Sequence, residues 1–72
     1  PRREAEAAEA ALAVRDAVLA LPEDLRLPLV LSVYEGQEYK VIAGVLGCSA
    51  KAVEMRIYRA RQILRDRLAE FC

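Results

Sequence analysis

Apolar residues recur along the last third of the chain at intervals that only a helix brings into line. Val53, Ile57, Ala60, Leu64, Leu68 and Phe71 follow one another at spacings of 4, 3, 4, 4 and 3. At about 3.6 residues per turn, this series forms one continuous stripe down one helix face. Ser49 stands where an N-cap belongs, so the pattern predicts a helix from Ser49 to about Glu70. A stripe of that length must be buried, and the rest of the chain has to supply the surface that covers it. The residues it leaves facing outward are Lys51, Ala52, Glu54, Met55, Arg56, Tyr58, Arg59, Arg61, Gln62 and Arg65.

A second pattern lies just upstream. Tyr39, Ile42, Ala43 and Leu46 are spaced by 3, 1 and 3, which places them on one face of a short helix over residues 37–46. Gly47 ends that helix. Two helices joined by a short glycine-containing turn, here Leu46-Gly47-Cys48-Ser49, define a helix-turn-helix. In its DNA-binding form the second helix enters the major groove, and its N-terminal residues reach base edges. Four arginines and one lysine on the outward face supply phosphate neutralisation and guanine contacts. Charge alone is also what a solvated helix face carries. The turn, the cap and the short preceding helix add to it.

The first half reads as helical too. Residues 3–20 are rich in alanine, the best helix former, with a partial apolar stripe of Leu12, Val14, Val18, Leu19 and Leu21. Leu21-Pro22 breaks it, since proline restricts the residue before it and suits the start of a new helix. Leu25, Leu29, Val30 and Val33 then mark a helix over 22–34, bent at Pro28, with Gly36 just past its end. Tyr34 and Tyr39 are expected to be partly buried, and Cys48 to be a small packing residue. The expected fold is therefore all-α.

With 72 residues there is room for one small domain. Net charge is zero, but residues 1–35 carry four arginines against seven acids, and residues 36–72 carry seven Lys/Arg against four acids. The basic half is the candidate anion-facing half. Two cysteines and no histidine exclude a disulfide scaffold, most zinc sites and most acid–base triads. No catalytic set, metal site, cofactor or small-molecule substrate is expected, and an enzyme is not. No apolar run approaches the ~20 residues of a membrane span, and no signal peptide is visible. A cytoplasmic setting is the expectation, and the opening at Pro1 suggests a piece of a longer protein.

Three stretches carry a family resemblance: LPEDLR at 21–26, IAGVLGCS at 42–49 and AVEMRIYRARQIL at 52–64. Together they resemble region 4, the C-terminal DNA-binding region, of extracytoplasmic-function sigma factors of the sigma-70 family. The resemblance runs from Val18 to about Leu68. It implies a four-helix helix-turn-helix domain, winged-helix-like or of the sigma region 4 type, over residues 18–72. Residues 1–17 would then be linker and the start of the first helix. It implies binding to the minus-35 promoter element, docking on the β flap of RNA polymerase, and a cognate anti-sigma factor. By position, Glu54, Met55, Tyr58 and Arg59 match residues that face bases. Ser49, Lys51, Ala52, Arg56 and Arg61 match positions near the phosphate backbone. The segment around Leu25, Leu29 and Val33 would offer a surface to polymerase or anti-sigma.

Two departures stand out. Many relatives carry threonine at the place of Ala52 and Lys or Arg at the place of Glu54. A carboxylate at position 54 repels phosphate but accepts from cytosine N4; alternatively it pairs with Lys51 or Tyr58. The residues also leave open the output domain of a LuxR-type response regulator, or a helical protein-interaction module without a DNA role.

Overall fold

The structure, a computed structural model, describes residues 2–69. Four helices follow in order: α1 (Arg2–Leu19), α2 (Glu23–Val33), α3 (Tyr39–Leu46) and α4 (Ala50–Arg67). Among the described residues there is no strand, and hence no wing beside the helix-turn-helix. The core is Val18, Leu21, Leu25, Leu29, Ile42, Ala43, Val53, Ile57 and Ala60. Val53, Ile57 and Ala60 bring the α4 stripe to its centre, and α4 packs on all three other helices. Leu64 packs against the edge of this core. The helix ends at Arg67 rather than near Glu70, with Leu68 as its C-cap. Phe71, expected to extend the stripe, lies outside the described residues.

α1 follows its alanine content more than its apolar residues. Only Ala17 and Val18 at its end are buried, while Leu12 and Leu19 stay more than half exposed. Successive residues turn by about 100° around a helix axis, so Leu12 and Leu19 point well away from the face that Val18 buries. Val14 is on that face but one turn too early to reach the other helices. The boundary expected between residues 17 and 18 falls inside this helix. Its C-terminus has no basic residue in the last turn. Arg26, on α2, supplies one: its Nη1 donates to the Leu19 carbonyl at 3.0 Å. A cation on those orphan carbonyls fixes the corner between α1 and α2.

α2 starts one residue later than the sequence suggested, because Pro22 serves as N-cap and its carbonyl accepts from Arg26 at 2.9 Å. Pro28 sits inside an unbroken α2, its ring among the most fully buried side chains. Burial of the ring compensates the backbone bond it lacks. Past α2, Gly36 takes a left-handed φ of 66°, and Gln37 N–H turns back to the Leu31 carbonyl at 3.0 Å. That bond keeps Gln37 out of α3, which opens at Tyr39 rather than Gln37. Tyr34, expected to be partly buried, is the C-cap of α2 and projects 62% exposed beyond the last core-facing turn. Tyr39 is half-buried against the core.

The turn between α3 and α4 is closed from both sides. Gly47 has φ 69°, a left-handed backbone that a side chain resists. Cys48 N–H then reaches back to the Ala43 carbonyl at 3.0 Å, closing the end of α3 as in a Schellman motif. One residue on, Ser49 Oγ accepts from Ala52 N–H at 3.0 Å and caps α4. Ser49→Ala is expected to cost about 1 kcal/mol. Urea denaturation should show a lower midpoint at unchanged slope. A wild-type midpoint would mean that this bond contributes nothing to the fold.

Candidate nucleic-acid interface

Burial of Val53, Ile57 and Ala60 decides which way every other residue of α4 points. Lys51, Glu54, Met55, Tyr58, Arg59, Arg61, Gln62 and Arg65 are exposed, on the side of the helix away from the core. Arg59 and Arg61, two positions apart, lie about 200° from each other around the axis. They border opposite flanks of this surface. Arg61 lines a recess of about 320 Å³ with Tyr39, Glu54, Met55 and Tyr58. Arg59 lines another with Leu25, Gln62, Ile63, Arg65 and Asp66.

Glu54 is paired with Lys51, Nζ to Oε2 at 3.7 Å, both largely exposed. Such a pair is worth at most about 1 kcal/mol, so it gives way readily to a phosphate or a base. Tyr58 does not take up Glu54; its Oη accepts from Gln62 Nε2 at 3.2 Å. Tyr58 and Gln62 stand at the i,i+4 spacing that brings side chains together on a helix, a signal the sequence carries for a role of Gln62. Tyr39 packs on the core and also forms one wall of the Arg61 recess.

Three of the sequence readings meet side chains less exposed than expected. Arg56 is only half exposed: it precedes Ile57 on the shoulder of the buried stripe, and its Nη1 donates to Cys48 Sγ at 3.5 Å. It shares a recess with Glu23, Asp24, Leu27, Pro28 and Leu46, on the side of α4 that meets α2 and α3. Ala52 is also half-buried, and its N–H is held by Ser49, so neither its methyl nor its amide offers a phosphate a donor. Leu25 and Leu29 were expected to form a docking surface. They are 7% and 3% exposed, because their i,i+4 spacing turns both into the core. Val33, one turn further, is 55% exposed.

Ser49 remains exposed. Its hydroxyl accepts from Ala52 and keeps its own proton for donation. Among the described residues no group of His, Cys, Asp and Glu could hold a metal ion, and no helix is long and apolar enough to cross a membrane.

A short helix, a glycine-closed turn and a capped helix with a basic outward face define a helix-turn-helix domain. Residues 11–64 match the family described as sigma-70, region 4, and the chain belongs to that family. It is similar to the ECF RNA polymerase sigma-E factor of Haemophilus influenzae, 34% identical over 68 residues, covering 94% of this chain and 36% of that protein. It is similar to the RNA polymerase sigma-H factor of Pseudomonas aeruginosa, 43% identical over 51 residues, covering 71% and 26%. The sigma-E factor of Escherichia coli is 37% identical over 49 residues, covering 68% and 26%. The chain thus spans 26–36% of the length of these relatives. Family membership displaces the LuxR-type output domain as a reading of the fold.

Proposed function

We propose that this chain recognises the minus-35 element of promoters as region 4 of an alternative sigma factor, directing RNA polymerase to those promoters in the cytoplasm. The observation that carries the reading is the outward face of α4, with Lys51, Arg59, Arg61 and Arg65 exposed on a helix whose start is fixed by Gly47 and Ser49. Placed in a major groove, Glu54, Met55, Tyr58 and Arg59 face bases. Ser49, Lys51 and Arg61 meet the phosphates on either side. Arg56 reaches the backbone only by leaving Cys48, and Ala52 contributes shape without a hydrogen bond.

The domain unit is residues 18–72, with 1–17 leading into it. The chain has no enzymatic role of its own. Polymerase, and an anti-sigma factor where one exists, would meet exposed apolar residues at the end of α2 and on α3: Val33, Tyr34, Val41 and Val45. The β flap is the polymerase element this surface would fit.

The test is a fluorescence-anisotropy titration of the chain against duplexes selected from a pool randomised over ten base pairs. Binding should weaken with salt. Engagement of Lys51, Arg59 and Arg61 with phosphate gives a log–log slope of up to about −3. Absence of binding to any duplex at low salt would overturn the reading.

A further inference from the structure

Tyr58 and Gln62 stand one turn apart near the middle of the outward face of α4, clear of the core. Gln62 Nε2 donates to Tyr58 Oη at 3.2 Å. The direction of this bond matters. A tyrosine hydroxyl is both donor and acceptor, and a free one rotates to suit whatever it meets. Here the oxygen accepts from Gln62 and the phenol keeps its own proton for donation, on a ring that is 56% exposed. Base edges in the major groove differ in what they offer such a proton. Guanine N7 and O6, adenine N7 and thymine O4 accept, whereas cytosine shows only its N4 amino donor.

We propose that Gln62 is a positioning residue that fixes Tyr58 as a hydrogen-bond donor, so that the chain disfavours cytosine at the base Tyr58 faces. This inference rests on α4 being the reading helix. Gln62 acts through the phenol and not by its own contact with a base. The amide has a second N–H and an oxygen to spare, and those are the groups that would betray a direct role.

The test uses the full 72-residue chain and the duplex it selects from the randomised pool, with each position then replaced by all four bases. At one position the wild-type chain should bind cytosine about fivefold more weakly than bases with an acceptor edge, the equivalent of one neutral hydrogen bond. Gln62→Ala and Tyr58→Phe should each flatten the profile at that position, and the double variant should flatten it no further. Gln62→Glu should invert it, because a carboxylate takes the phenol proton and leaves the oxygen to accept from an amino edge. All four proteins should keep the wild-type melting temperature within a few degrees, since both side chains are exposed.

If Gln62→Ala leaves the profile unchanged while Tyr58→Phe flattens it, Tyr58 reads unaided and the inference falls. If Gln62→Ala alters a different base pair, Gln62 reads directly and the inference also falls. In both cases promoter recognition stands. If the wild-type chain binds no duplex, both fall together.

Discussion

Ile57→Ala is expected to cost about 2–5 kcal/mol, the largest effect of any single substitution considered for this chain. Ile57 is 1% exposed, at the middle of α4, between Val53 and Ala60, both wholly buried. The four carbon atoms of its side chain fill space that α2, α3 and the end of α1 converge on. Removing three of them leaves a cavity that flanking side chains fixed on three helices close only in part. A domain of this size has a total stability of about 4–11 kcal/mol at usual per-residue values. The loss is therefore a large fraction of the whole. At about 4–8 °C per kcal/mol the melting temperature should fall by about 8 °C or more. Circular dichroism of the melt checks this, and a shift of only a degree or two would mean that α4 is not anchored through Ile57.

Arg59→Ala and Arg61→Ala together give the second large prediction, because the two should fail differently. Arg59→Ala is expected to cost about 1–3 kcal/mol on the preferred duplex and much less on others, so that specificity relaxes. Arg61→Ala should weaken binding to all duplexes alike and make the salt slope shallower by about 1. The structure motivates the contrast: the two guanidinium groups leave the helix on opposite flanks and border different recesses. Anisotropy titrations on a preferred and a scrambled duplex at two salt concentrations separate the cases. Equal losses on both duplexes for Arg59→Ala would move it from the bases to the phosphate backbone.

Much of this was legible in the residues, for identifiable reasons. Val53, Ile57 and Ala60 were visible as core because large side chains recur there at helical spacing with charges between them. Gly47 and Ser49 were visible as a turn because few residue types satisfy a left-handed backbone and an N-cap. The alanine-rich start was legible as helix but not as to what it packs, since alanine forms helix on every face and Leu12 and Leu19 mimic a stripe they do not make. Leu25 and Leu29 show the opposite difficulty. Their spacing pointed into the core, while the resemblance drew attention to the surface of the same helix. Arg56 and Gln62 were illegible for a third reason. Polar residues on a helix look alike in sequence, and only the positions of neighbouring atoms show that Arg56, on the shoulder of the buried stripe, turns to Cys48, and which of its neighbours Gln62, on the outward face, takes as partner.

The closure at Gly47 and Ser49 has an evolutionary consequence. The bonds that set the angle between α3 and α4 involve the backbone of Ala43, Cys48 and Ala52 and one serine hydroxyl. None of them uses a side chain at positions 51, 54, 55, 58 or 59. Substitutions at exposed sites away from caps and core usually change stability by less than about 0.5 kcal/mol. Those five positions can therefore drift through many combinations without unfolding the domain. If α4 reads promoters as proposed, a duplicated copy of this gene could change its targets in single steps, each intermediate still folded and open to selection.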